Sequence, residues 1–312
     1  MKALIIREYW EHRGAFIKAP IIIGIVLLVL SVGGYITGLV LANKSGANDF
    51  ANKLIHESSN LDPDDIAMFW DMQMMSISSL YLSVLFFVMF FFLLGSLFDD
   101  RKDQSILFWK SLPISDATTV ISKLLTAMFL APLIYVGVFL ALTITLMVIF
   151  SIILLFHGLN PIQLIWGPAS LFSGAKVILV GTLVQMLWAL PLYGWLIFSS
   201  SISKRRPFLF AVFVPAIIAF SWYWINILTF KFTNWSMFKE PLKYLGHALV
   251  PYGSGSMSNN SFQFNIEDGS TISNTVGNML NSIASIEILY GALFSAVFVS
   301  LAIWLRRFRN TT

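Results

Sequence analysis

Cysteine is absent from all 312 residues, which excludes disulfides, thiol catalysis and thiolate metal sites. Charge is scarce: Asp, Glu, Lys and Arg make up 12% of the chain, against about 25% in a soluble globular domain. The four histidines, His12, His56, His157 and His247, fall in different segments, and no shared metal site follows from them. The sequence has no GxxxxGK[ST] phosphate loop, no HExxH and no GxSxG, so those routes to ATP binding, metal-assisted hydrolysis and acyl transfer are closed. Ionisable residues are nearly missing from the long apolar runs, which removes the charged relay of a proton-coupled pump. The expectation is a chain with no catalytic residues, no metal and no cofactor of its own.

Apolar residues are plentiful, at 57% with 28 Phe and 10 Trp, more than a water-facing surface can absorb. The excess must meet lipid. A helix crossing ~30 Å of hydrocarbon needs roughly 20 apolar residues. Six runs qualify: about 17–41, 76–98, 123–156, 175–201, 207–230 and 286–305. The third is long enough to tilt or to extend beyond the bilayer. Pro132 and Pro191 stand inside the third and fourth as candidate kinks. The first run exceeds the h-region of a signal peptide, and Val40–Leu41–Ala42 only weakly resembles a cleavage site, so it reads as a span. The predicted fold is an all-α integral membrane protein with six transmembrane helices in a single domain.

Six spans return both termini to one side. With the termini inside, fourteen of the twenty Lys and Arg residues lie in inner segments, against six of the sixteen acids. That bias sets orientation, so both termini are expected in the cytoplasm. The basic residues sit in short groups beside apolar runs, which argues for membrane orientation and against nucleic acid. The strict charge asymmetry and the lack of cysteine fit a bacterial inner membrane.

Between the spans, residues 1–16 read as an amphipathic interfacial helix, with Leu4, Ile5, Tyr9 and Trp10 towards lipid and Arg7, Glu8 and Glu11 towards water. Its alternative is a frayed charged tail. In the acidic outer loop, LDPDDIAMFW starts a helix, with Asp62 as cap and Pro63 in the first turn. The outer segment 231–285 is the longest. Trp235, Phe238, Leu242, Leu245 and Leu249 recur at helical spacing there, as in a short helix lying on or dipping into the outer leaflet. The Ser-, Asn- and Gly-rich stretch after them reads as a loop or short hairpin. Gly34 and Gly38 form a GxxxG motif for close helix packing, within the chain or across a dimer. Gln185 and Asn226 are the notable polar residues inside spans, open to a substrate path or to an interhelical hydrogen bond.

The inner loop DDRKDQSILFWKSLPISDATTVISK, residues 99–123, has charged ends and an apolar, aromatic middle. Leu112–Pro113 breaks it, and Ser115 caps the next helix. Phe108 and Trp109 have no reason to be on a cytoplasmic loop unless they insert into the membrane or meet a partner. Here the sequence resembles the membrane subunit of an ATP-binding-cassette exporter of the ABC-2 type. Asp100–Arg101, Ser105–Ile106, Leu112–Pro113–Ile114–Ser115 and Lys123 stand at that family's matching places. Gln104 replaces the usual Gly, and Leu107 the usual Glu. The six-span layout, the amphipathic start and the large outer segment before the last span agree as well.

The resemblance implies a permease subunit that pairs with a second copy or a related subunit. Its coupling helix, about Lys102–Lys110, would dock on a separate cytoplasmic ATPase holding ATP and Mg. Arg101, Lys102, Gln104, Ser105, Ile106, Leu107, Phe108, Trp109 and Lys110 would form that docking segment. The uncharged, aromatic spans suit an apolar or amphipathic cargo such as a lipid, drug or peptide. A complex of the same build that moves nothing, and instead transmits motion to an outer-face protein through 231–285, is the competing reading.

Overall fold

A computed structural model describes residues 1–44, 63–103, 114–167, 171–228, 239–252, 254–258, 261–265 and 272–308. Apart from one short hairpin these residues are helical wherever they are regular, as hydrocarbon demands of a backbone that finds no water to bond. The helices are α1 (Lys2–Glu11), α2 (Ala19–Lys44), α3 (Pro63–Lys102), α4 (Asp116–Leu125), α5 (Ala131–Phe156), α6 (Leu171–Trp188), α7 (Leu190–Ile202), α8 (Pro207–Leu228), α9 (Lys239–Leu249), α10 (Ile272–Ile283) and α11 (Ile286–Phe308). Five helical stretches are long and apolar enough to cross a membrane, and α6 with α7 makes a sixth if that bent pair counts as one span. The chain is a multi-pass membrane protein. Side chains such as Ile25, Leu133, Phe213, Phe220 and Leu293, more than half exposed, would be an aggregation hazard in water.

Prolines shape the spans in two ways. Pro20 and Pro132 each follow a wide π-helical turn, Gly14–Lys18 and Thr126–Leu130. A proline ring crowds the carbonyl four residues before it, here Phe16 and Met128, and both lie inside the widened turn. The helix therefore absorbs the proline without ending, and Asp116–Phe156 runs as one 41-residue stretch. At Pro191 there is no such turn, and the chain bends by 53° between Trp188 and Leu190. Helix α3 is 40 residues long, about 60 Å at 1.5 Å per residue, twice the hydrocarbon thickness. It starts at Pro63, as the LDPDDIAMFW pattern predicts; Asp62 lies outside the described residues.

The core is built around α3. Tyr81, Leu82, Leu85, Met89, Phe92 and Leu93 are buried against residues of α4, α5 and α7 such as Val120, Phe139, Leu196 and Ile197. Helix α7 packs closely against α11, where a Cβ on Gly194 would lie 2.7 Å from the Ser295 Cα. This is the small-residue contact expected of Gly34 and Gly38, displaced to another helix pair. A Cβ on Gly34 or Gly38 meets nothing within 4 Å among the described residues.

Beyond the α6–α7 bend, α9, the hairpin and α10 form a cap. Ser254–Ser258 pairs antiparallel with Ser261–Asn265, the short hairpin read from the sequence, and α10 begins just after it. In α9 the packed residues are Gly246, His247 and Ala248, while Leu242 and Leu245 are exposed. Trp235 and Phe238 lie outside the described residues.

Candidate functional site

Five elements converge where α3 ends: α1, the last turn of α3, the first and last turns of α4, and the C-termini of α7 and α11. Their meeting point is charged. Asp100 is the hub. One carboxylate oxygen accepts from Arg7 Nη2 at 3.0 Å, and the other lies 3.4 Å from both Lys123 Nζ and Arg306 Nη1. Lys123 also lies 3.0 Å from Glu8 Oε1. Arg306 Nε donates to Asp116 at 3.0 Å, and Arg7 Nε to Glu11 at 2.9 Å. Three cations thus bridge four carboxylates, and together the seven groups come from four helices, α1, α3, α4 and α11.

Most of this network is out of water. Side-chain exposure is 1% for Glu8, 2% for Lys123 and 5% for Asp100 and Arg306. Removing one partner of such a pair strands a buried charge, at about 3–5 kcal/mol. Burial disfavours the Arg7 cation, but Glu11, Asp100 and Glu8 outweigh it and raise the guanidinium pKa above its ordinary value. His12, one turn beyond Glu8, shifts the other way: burial lowers its pKa, with Glu8 opposing and Lys123 adding to the shift. Its ring stands edge-on to Phe92 at 4.9 Å.

Arg101 makes a second clamp. Its guanidinium donates to the carbonyls of Ser200, Ser201 and, at 3.0 Å, Ser203, the carbonyls left open where α7 ends. The Ser200 hydroxyl accepts from the Leu97 and Phe98 amides at 3.0 Å, which ties the same helix end to α3 again. Downstream, Ser115 caps α4 by accepting from the Thr118 amide at 3.1 Å, as its position predicts. Asp116, Lys123 and the pair Asp100–Arg101 therefore anchor both stems of the loop 104–113.

Sequence reasoning placed Arg7, Glu8 and Glu11 towards water, and for Glu8 the structure reverses this. The buried stripe of α1 and the turn after it is Leu4, Glu8 and Phe16, with half-buried His12 between them, so Glu8 points into the protein while Trp10 is 60% exposed. The spacing of four from Leu4 to Phe16 was the available signal. An acid inside an apolar stripe asks for a buried cation, and Lys123 supplies it. Glu8, Glu11 and His12 also bring three possible metal-ligand atoms within 4.8 Å of one another. Lys123 and Arg7 already neutralise both carboxylates.

Of the docking segment, Arg101 is partly buried on α7 and Lys102 is exposed. Gln104, Ser105, Ile106, Leu107, Phe108, Trp109 and Lys110 lie outside the described residues. Gln185 is no part of an open path. Its Nε2 donates to the carbonyls of Leu82 at 2.7 Å and Ala248 at 2.8 Å, so it stitches α6 to α3 and α9 in the core. Asn226 falls in the last turns of α8, and its side chain lies outside the described residues.

No family model, curated protein or solved structure matches this chain.

Proposed function

We propose that the chain is the membrane-spanning permease subunit of an ATP-driven exporter of the ABC-2 type, moving an apolar or amphipathic substrate out of a bacterial cytoplasm. In this reading it sits in the inner membrane with both termini cytoplasmic and pairs with a second permease subunit. A separate cytoplasmic ATPase binds ATP and Mg and docks on residues 101–110. The observation that carries the proposal is the anchoring of that loop. Its stems are tied through Asp100, Arg101, Asp116 and Lys123 to α1, α7 and α11. A load applied between the stems, α3 and α4, reaches three further helices at once, where a loose loop would dissipate it. ATP-driven closure of the ATPase would then shift the helices between two arrangements by differential binding.

One observation favours the non-transporting alternative, in which motion passes to an outer-face partner. The cap elements α9 and α10 pack on α6, and α6 is half of the broken span. Transport by the reconstituted complex in vesicles separates the two.

The test of the shared premise is purification of the tagged chain in mild detergent. A stoichiometric ATPase is expected to come with it. Truncating Phe108 and Trp109 to Ala is expected to release that ATPase, each anchor contributing about 2 kcal/mol or more, while the chain still inserts. A chain that purifies alone and stimulates no ATPase overturns the proposal.

A further inference from the structure

Near the cap end, between α2, α3 and α5, lies a cavity of about 580 Å³, within the ~300–1,000 Å³ of small-molecule sites. Its lining runs from Ile66 to Ile77 on α3 and from Thr143 to Leu154 on α5, about 16 Å along each axis. The slot runs along the axes of α3 and α5. Ile77 and Thr143 form its floor, one turn above the Tyr81–Phe139 contact in the core. Its roof is the π-helical turn Ile162–Trp166, fixed by the Trp70 indole donating to the Leu164 carbonyl at 2.8 Å. Met147 and Ile165 pack there with Trp70 and Phe150.

Among the described residues the α2 side of the slot is incomplete. At Gly24, α2 presses on α3, and a Cβ there would lie 2.8 Å from the Tyr81 hydroxyl. Further along, a Cβ on Gly33, Gly34 or Gly38 would meet nothing within 4 Å among the described residues. Tyr35 holds the far part of α2 to the end of α5 through His157 at 3.2 Å, which leaves the gap on the α3 side. Of the described residues of α2, Ser31 lines the slot.

We infer that this slot binds one acyl chain of an amphiphile, entering sideways from the bilayer between α2 and α3. The chain lies on Met74, Met147 and Phe150, and the polar head stays outside the gap between α2 and α3. Apolar walls, a length that follows the helix axes and a blind floor select a chain over a compact polar solute. Flexible Met side chains suit a ligand without fixed shape. The site stands whether or not the protein is an exporter; in the permease reading it narrows the cargo to single-chain amphiphiles or makes a resident lipid part of the structure.

Two diazirine probes test it on the full chain. One is a phospholipid with the diazirine at the chain end, incorporated in nanodiscs. The other is a free diazirine fatty acid added in detergent. Peptide mapping is expected to place adducts on Ile77, Thr143 and Met147 in excess over the lipid-facing side of α8. Labelling of the slot by the phospholipid assigns the bilayer as source; labelling by the fatty acid alone assigns a free amphiphile. Ser31→Trp and Met147→Trp, which plug the gap and fill the slot, should each cut slot labelling about tenfold or more, a loss of ~1.4 kcal/mol per decade. Thr143→Val removes a buried hydroxyl that has no partner among the described residues, and should leave labelling unchanged or raise it. Adducts spread evenly over exposed helix faces, or labelling lost in Thr143→Val, would overturn the inference.

Discussion

Replacing Lys123 by Met tests the charge cluster most directly. Methionine keeps the length and apolar stem of lysine, so packing changes little and the ammonium is what goes. Two buried carboxylates, Glu8 at 3.0 Å and Asp100 at 3.4 Å, then lose a cation. Asp100 retains Arg7 and Arg306, whereas among the described residues Glu8 keeps Arg7 Nη1 at 3.9 Å as its one remaining cation. The loss should fall at the lower end of the ~3–5 kcal/mol range for a broken buried pair, out of a total stability of about 5–15 kcal/mol. Removing both charges, in Glu8→Gln with Lys123→Met, leaves no stranded carboxylate on α1. The double change should therefore be milder than the sum of the single ones by about 0.5–3 kcal/mol. Thermal unfolding in detergent, followed by tryptophan fluorescence, reads both quantities. Additive losses, or a Lys123→Met variant as stable as the parent, would refute the view that Lys123 neutralises a buried Glu8.

Gly194→Leu should separate α7 from α11, because its Cβ would meet Ser295 backbone atoms at 2.7 and 2.9 Å, and overpacking of this kind costs about 1–3 kcal/mol or more. Gly34→Leu, with nothing within 4 Å, should leave the monomer's melting unchanged, and a lower dimer yield there would place α2 in a subunit interface. At the cap, His247 stacks on Trp188 at 4.1 Å between Lys243 and Glu287. Burial lowers its pKa below the ordinary 6.5, so the folded state binds fewer protons than the unfolded one. The stabilisation is full above about pH 6.5 and is lost as pH falls through the lowered folded value. Melting should weaken on acidification, and His247→Asn should remove part of that slope, with His12, shifted in the same direction, supplying more of it; an unchanged slope would count against the buried ring.

The spans were legible because lipid imposes a blunt rule: about twenty apolar residues in a row, which Leu, Ile and Phe spell out regardless of neighbours. Proline positions were legible too, but their consequences were not. Pro132 and Pro191 look alike in sequence, yet a π-turn absorbs the first and the chain bends at the second. Close packing at Gly194 was hidden because its partner is Ser295, a hundred residues away, while the local GxxxG at Gly34 met nothing. Gln185 shows the same limit: a polar residue in an apolar run announces a partner, and only the fold shows that the partners are two backbone carbonyls. Glu8 carried a local signal in its place on the Leu4–Phe16 stripe. A helix wheel that sends charged residues to water by default overrides that signal.

The long helix α3 connects the two ends of the protein. It carries Asp100 and Arg101 at one end and Trp70 and Gln73 near the other, within one unbroken stretch of 40 residues. Along its middle it packs on α5 through Tyr81 and Phe139, and Gln185 binds the Leu82 carbonyl from α6. A rigid rod held at its centre converts a tilt at one end into an opposite displacement at the other. In the permease reading, strain on the loop stems would swing the Trp70–Gln73 rim of the slot relative to α2, which is held to α5 by Tyr35 and His157. In that reading the ion pairs around Asp100 would be the grip on the rod, and their stiffness would set how much of the load reaches the gap between α2 and α3.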